Sequence, residues 1–168
     1  MKKIGIFYGS TTGTTETLAD TIASALGVDS ADVHNVSDLN DDEIAKYDVL
    51  LLGTSTWGAG DLQDDWYDGL DTLKAANLEG KTIALFGCGD SESYGDTFCG
   101  AMGQIYDALQ DKGAKFIGSV PTDGYNFEDS EAAKDGHFVG LAIDDVNESD
   151  KTEERVNNWV AELKKELA

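Results

Sequence analysis

The sequence predicts an α/β fold: a doubly wound, five-stranded parallel sheet with helices on both faces. Three observations carry this. Its short apolar runs are near-continuous rather than alternating, as in strands covered on both sides. Stretches with apolar residues every three or four positions lie between those runs. The first run passes through a loop of glycines and hydroxyls straight into such a stretch. Strand–helix alternation of this kind builds a parallel sheet.

The elements follow in order. A strand over residues 3–8 precedes a helix on which Leu18, Ile22 and Leu26 share a stripe. A weaker strand covers 31–36. The third strand, 48–53, leads to a helix with Trp66, Leu70 and Leu73 on one face. The fourth, 81–87, leads to one with Met102, Ile105, Tyr106 and Leu109. The fifth, 115–120, runs into Pro121 and an excursion reaching Gly136, after which residues 138–143 again look like a strand. The simplest reading is one edge strand interrupted by a long loop, and loops of that length inside a compact domain usually serve function. The last helix carries Val156, Val160, Leu163 and Leu167, with Asp150 and Glu153 placed to cap its start. No linker, repeat or low-complexity segment divides the chain, so residues 1–168 read as one domain.

Composition narrows the function. The chain has 168 residues, 40% of them hydrophobic, enough for a sizeable core. No apolar run approaches the roughly 20 residues that span a bilayer. Lys2 and Lys3 are followed by a stretch that breaks at Gly5, which does not resemble a signal peptide, so a cytoplasmic location is the default. The net charge of −21 disfavours nucleic acid and anionic membranes as partners. It favours basic protein surfaces, but an acidic surface is equally a solubility device. Cys88 and Cys99 are too far apart for a redox Cys-x-x-Cys pair and read as reduced, partly buried thiols. His34 and His137 read as surface residues, and no metal site is expected.

The most informative stretch is the first loop. Ser10, Thr11, Thr12, Thr14 and Thr15 surround Gly13, giving five hydroxyls in six residues and no Lys or Arg. A helix N-terminus carries unpaired N–H donors and roughly +0.5 of partial charge, which suits a phosphate. Thr14 stands where a nucleotide triphosphatase loop needs lysine. Gly9 and Gly13 are spaced wrongly for a dinucleotide fingerprint. Plain helix capping would need one or two hydroxyls, not five. The loop therefore reads as a phosphate cradle made of dipoles alone.

Ligands of an open parallel sheet sit beyond the carboxyl ends of its strands. After the third strand come Thr54, Ser55, Thr56, Trp57, Gly58, Ala59, Gly60 and Asp61. After the fourth come Cys88, Gly89, Asp90, Ser91, Glu92, Ser93, Tyr94, Gly95 and Asp96. Each loop holds one aromatic among small residues. Alone, either aromatic is best read as a loop anchor. Beside a phosphate cradle, Trp57 and Tyr94 suit the two faces of a planar ring, each stack adding about 0.5–1.5 kcal/mol.

These motifs, with Thr122-Asp123-Gly124-Tyr125 and Phe138-Val139-Gly140-Leu141-Ala142, resemble the flavodoxins, specifically the long-chain group, over essentially the whole sequence. The resemblance implies a flavodoxin-like fold with strand order 2-1-3-4-5. It implies non-covalent FMN and low-potential one-electron transfer between proteins, without enzymatic turnover. Its phosphate would lie on Ser10, Thr11, Thr12, Gly13, Thr14 and Thr15. Its ring would lie between Trp57 and Tyr94, lined by Ser55, Thr56, Gly58, Ala59, Gly60, Cys88, Gly89, Asp90 and Asp96, with Phe98 and Cys99 closing the pocket. Asp144 is a weaker candidate for a ribityl contact. The Gly58–Ala59 peptide would turn over beside flavin N5 on reduction, which Gly58 eases because glycine tolerates φ > 0. Asp61, Asp64, Asp65, Asp90, Glu92 and Asp96 would make the second electron harder to add and form a docking face. The partners implied are a flavin-containing NADP reductase and iron–sulfur oxidoreductases, met by a monomer.

Two competitors fit less well. An FMN-dependent quinone reductase would need a nicotinamide pocket, yet no basic residue lies near the flavin loops and Trp57 would cover one ring face. A phospho-receiver domain needs an acidic pair after the first strand and an aspartate after the third. Gly9-Ser10 and Gly53-Thr54 stand there instead.

Overall fold

The computed structural model describes residues 3–9, 13–57, 61–62, 65–89, 98–122, 125, 130, 132–134, 136–144 and 147–167, with only the backbone path for Ser30, Thr56, Trp57, Asp61 and Leu62. Strands β1 (Ile4–Gly9), β2 (Val33–Asn35), β3 (Val49–Trp57) and β5 (Thr82–Cys88) form a parallel sheet in the order β2-β1-β3-β5. The far edge of β5 carries two short parallel strands, one after the other. β6 (Lys115–Ile117) pairs with Thr82, Ile83 and Ala84, and β10 (Leu141–Ile143) pairs with Phe86, Gly87 and Cys88. The fifth position of the sheet is thus one interrupted strand, and the order is the expected 2-1-3-4-5.

The expected strand ends are corrected at the interruption. Residues 118–120 and 138–140 do not extend the sheet. Val120–Pro121 (β7), Ala133–Lys134 (β8) and His137–Phe138 (β9) form a separate antiparallel sheet, order β7-β9-β8. Sheet pairing stops at Ile117 because Gly118, at φ 82°, turns the backbone out of the extended region, its carbonyl accepting from the Trp159 indole N–H at 2.7 Å, and beyond it the excursion pairs with itself.

Helices α1 (Thr14–Leu26), α3 (Asp65–Ala75), α4 (Gly100–Leu109) and α5 (Ser149–Leu167) cover the sheet, and a five-residue α2 (Asp41–Ala45) links β2 to β3. Successive strand residues point to opposite faces. Phe7, Leu50, Leu52, Ile83 and Leu85 pack with Trp66, Leu70, Leu73, Met102, Ile105 and Leu109 of α3 and α4. Ile6, Val49, Leu51, Ala84 and Phe86 pack with Leu18, Ile22, Val156, Val160 and Leu163 of α1 and α5. Both faces are buried, which is why the strands read as unbroken apolar runs. Trp66 is fully buried and donates its indole N–H to the Gly53 carbonyl at 2.7 Å, pinning α3 to β3. Truncating such a residue typically costs about 3–5 kcal/mol.

Three further expectations change. The weak strand shortens to Val33–Asn35 because 3₁₀ turns flank it, the second held by Asn35 accepting from the Ser37 N–H at 2.9 Å. Helix α5 starts at Ser149, so Asp150 lies inside its first turn rather than capping it. His34 is not a free surface residue. Its ring stacks on Phe7 with centroids 5.2 Å apart, and its Nε2 lies 2.9 Å from the Tyr47 hydroxyl, which donates to Asp32. Its pairing opposite Phe7 places it there, at 21% side-chain exposure. Among the described residues no helix is long and apolar enough to cross a membrane, and no cluster of His, Cys, Asp or Glu could hold a metal ion.

Candidate functional site

The strand register assembles the site. Gly9 lies opposite Thr54, Thr54 opposite Gly87, and Gly87 opposite Ala142. The carboxyl ends of β1, β3, β5 and β10 therefore end on one edge. The chain order reverses between β1 and β3, which is where an open α/β sheet places its ligand.

Helix α1 begins on that edge. Its N-cap is Gly13 at φ 93°, a residue with no side chain of its own to cap the helix. Only glycine adopts that backbone without strain. Thr17 turns its hydroxyl back to the Gly13 carbonyl at 2.9 Å, and Thr21 does the same to Thr17. Thr15 differs: it is completely buried, and its Oγ1 has no hydrogen-bond partner. Ser55 Oγ, at the end of β3, is likewise buried without a partner. Buried hydroxyls normally find one, so each orphan calls for an explanation. Glu16 accepts from the Tyr8 hydroxyl at 2.8 Å, tying α1 to β1. Burial, followed by that bond, pushes the Tyr8 phenol up to about 12.

A cleft of about 780 Å³ opens beside the tip, between α1 and α5. Gly13, Thr14, Thr17, Cys88, Ile143 and Thr152 are among its walls, and none of the described residues lining it is Lys, Arg or His. The contributions of Ile143, Ser149 and Thr152 were not foreseen. Nothing local in the sequence marks them, because only the sheet brings α5 beside α1.

The third wall starts at the end of β5. Gly89 donates its N–H to the Ile143 carbonyl at 2.9 Å. A Cβ on Gly89 would stand 2.9 Å from the Cys99 nitrogen, so the close approach of this turn requires glycine. Cys99 caps α4 at φ 52°, the one non-glycine residue with positive φ among those described. Such backbone collects at functional sites. Phe98 and Cys99 are both buried in the α3/α4 core, so this turn braces the edge from behind. Burial above all, with nearby Cys88 adding to it, pushes the Cys99 thiol well above the ordinary thiol range. Cys88 belongs to the opposite core, beneath α1 and α5, and neither cysteine is in a disulfide. Asp144, fully buried after β10, accepts from the Asn147 N–H at 3.0 Å and from its side-chain amide. It shapes the turn into α5.

The structure thus brings Gly13, Thr14, Thr15, Ser55, Cys88 and Gly89 to one edge. Ser55, Thr56 and Trp57 belong to β3 rather than to a loop, correcting the expected strand end: Ser55 still pairs with Cys88, and Thr56 and Trp57 pair antiparallel with Leu62 and Asp61 of a two-residue strand, β4 (Asp61–Leu62). Ser10, Thr11, Thr12, Gly58, Ala59, Gly60, Asp90, Tyr94 and Asp96 lie outside the described residues.

The comparisons with known proteins agree with this architecture. Residues 6–159 match the family model for flavodoxin. Flavodoxin 1 of Azotobacter vinelandii is 48% identical over 171 residues, covering 99% of this chain and 98% of that protein. Flavodoxin 1 of Escherichia coli K12 is 48% identical over 164 residues, covering 97% of this chain and 93% of that protein. A crystal structure of Fusobacterium nucleatum flavodoxin bound to flavin mononucleotide superposes with a TM-score of 0.90 at 36% identity, covering 99% of each chain. On sequence and fold together, the chain belongs to the flavodoxin family.

Proposed function

We propose that this chain is a low-potential one-electron carrier that holds FMN non-covalently at the carboxyl edge of its sheet. The observation that carries the reading is the α1 tip. Its N-cap is a glycine, its buried Thr15 hydroxyl has no partner, and the described walls of the neighbouring cleft carry no cation, their only charged side chains being Glu16 and Glu153. Helix N–H dipoles and hydroxyls in that arrangement match a phosphate dianion on a small ligand. The F. nucleatum relative is described as bound to flavin mononucleotide, which supports the same choice.

In this reading Ser10, Thr11, Thr12, Gly13, Thr14 and Thr15 hold the phosphate. Ser55, Thr56, Trp57, Gly58, Ala59, Gly60, Cys88, Gly89, Asp90, Tyr94 and Asp96 line the ring, and Phe98 and Cys99 back it. When bound, the flavin accepts and releases electrons one at a time. The chain's own part is to orient it, exclude water and surround it with negative charge. Asp68 and Asp71 are exposed on α3, just after the flavin loop, with Tyr67 between the loop and them at 52% exposure. This face suits a small, salt-sensitive contact with basic redox proteins, namely a flavin-containing NADP reductase and iron–sulfur oxidoreductases. The carrier works as a monomer in the cytoplasm. Calorimetric titration of the flavin-free chain tests the core of the reading: FMN binds one to one, and riboflavin, lacking the phosphate, binds far more weakly. Absence of FMN binding overturns it.

A further inference from the structure

We propose that Arg155 is a positioning residue that fastens the excursion to both turns backing the cofactor edge, so that the excursion and FMN binding are energetically linked. The proposal rests on the FMN reading above. Arg155 is the only arginine in the sequence. Its guanidinium lies over the Tyr125 ring, 3.8 Å from the centroid, while its Nη2 donates to Glu148 Oε1 at 3.1 Å. Glu148 is only 7% exposed and also accepts from Lys151 Nζ at 2.9 Å. The Glu148 N–H returns to the Asp144 carbonyl at 2.9 Å, closing the turn from β10 into α5. This is the first turn that the guanidinium reaches.

Tyr125 reaches the second. Its hydroxyl donates to the Ala142 carbonyl of β10 at 2.7 Å. Its ring meets Phe138 edge-on at 4.8 Å and lies 6.1 Å from Phe98, in the turn that leads into α4. Ser130, also in the excursion, donates to the Phe98 carbonyl. One contiguous chain of contacts therefore runs from the Phe98–Cys99 turn through Tyr125 and Arg155 to the Asp144–Glu148 hydrogen bond. The excursion's own sheet has strands of two residues each, too short to be stable alone. A planar guanidinium can stack on Tyr125 and bond Glu148 at once, whereas an ammonium is a point charge that cannot do both equally well.

If FMN steadies the two turns, it steadies the excursion, and linkage makes the effect reciprocal. The test uses the full chain, with and without FMN, as wild type, Arg155→Lys, Glu148→Gln and Tyr125→Phe. Hydrogen exchange is read at the amides of Tyr125, Ala133 and Val139, which bond Thr122, Ser130 and Ala132 carbonyls. In the wild type, saturating FMN slows these amides about tenfold or more. Arg155→Lys and Glu148→Gln lose most of that protection and raise the Kd for FMN and for riboflavin by a common factor of about ten, within the usual range of such couplings. Tyr125→Phe keeps the ring under the guanidinium and binds FMN within about threefold of wild type, since a single hydrogen bond contributes little net. A purely structural staple would lower the melting temperature of the flavin-free chain yet leave both the Kd and the FMN-dependent protection as in wild type, and that result overturns the proposal. FMN that binds the wild type without protecting these amides overturns it too, leaving the FMN reading intact. FMN that does not bind at all removes both.

Discussion

Replacing Thr15 by valine should move stability and affinity in opposite directions. The side chain is completely buried and its hydroxyl has no partner, unlike Thr17 and Thr21, which bond back along α1. An unsatisfied buried hydroxyl costs about 1–3 kcal/mol. Valine keeps nearly the same shape without the polar atom, so the flavin-free chain gains about 1 kcal/mol or more, or about 2–4 °C in Tm for a chain of this size. The same hydroxyl donates to a phosphate dianion in the proposed complex. Hydrogen bonds to charged groups contribute about 1.5–3 kcal/mol, so the FMN Kd rises roughly 10- to 150-fold. Riboflavin affinity stays within about twofold, because only the phosphate contact is lost. Thermal unfolding of the stripped variant and paired titrations with FMN and riboflavin read all three quantities. A variant that melts lower than wild type, or that loses FMN and riboflavin affinity equally, refutes the assignment of this hydroxyl to the phosphate.

Other consequences follow from charge and backbone. Burial pushes the Glu148 carboxyl up, but hydrogen bonds from Lys151 and Arg155 more than offset this and leave it below its ordinary 4.5. The unfolded chain then takes up the proton first as pH falls. The stabilisation is complete above the ordinary value and lost as pH drops through the lower native one. Glu148→Gln should flatten the Tm profile between roughly pH 5 and pH 2, and an unchanged acid slope would exclude this contribution. Electron transfer to a basic partner should slow as salt rises from about 0.01 to 1 M, where the Debye length shrinks from about 30 to 3 Å. The triple change of Asp65, Asp68 and Asp71 to asparagine should flatten that dependence in stopped-flow traces, whereas a flat wild-type profile would point to apolar docking. Gly58→Val should narrow the gap between the two one-electron potentials by hindering a peptide that needs φ > 0. Potentiometry finding the same gap would remove that role for Gly58.

Much of the fold was legible because its signals are local. All but the first residue of the runs at 48–53 and 81–87 fall inside β3 and β5, and Trp66, Leu70 and Leu73 are buried as their spacing required. Short α2 escaped notice, although Asn40 accepting from the Glu43 N–H at 2.9 Å shows a start signal of ordinary kind. Five residues hold too little periodicity to reveal a helix. The strand end at Ser55–Trp57 was misplaced because polar residues there looked like a loop. Pairing with Cys88 on one side and with β4 beyond it keeps the backbone extended regardless. His34 looked like a lone surface imidazole, since its aromatic neighbours Phe7 and Tyr47 are distant in sequence.

Taken alone, the residue order determined the alternation of strands and helices and the hydroxyl-rich, cation-free chemistry of the loop at the α1 tip. Both are written in contiguous residues: buried strands need unbroken apolar runs, and Ser10 through Thr15 carry their hydroxyls and glycine within one loop. Only tertiary structure decided that Cys88, Ile143 and Thr152 face the same cleft as Gly13, that the two cysteines lie on opposite faces of the sheet, and that Arg155 grips Tyr125 and Glu148 together. Those neighbours meet through strand register and helix packing, which bring together residues far apart in the chain and leave no periodicity in the sequence to announce them.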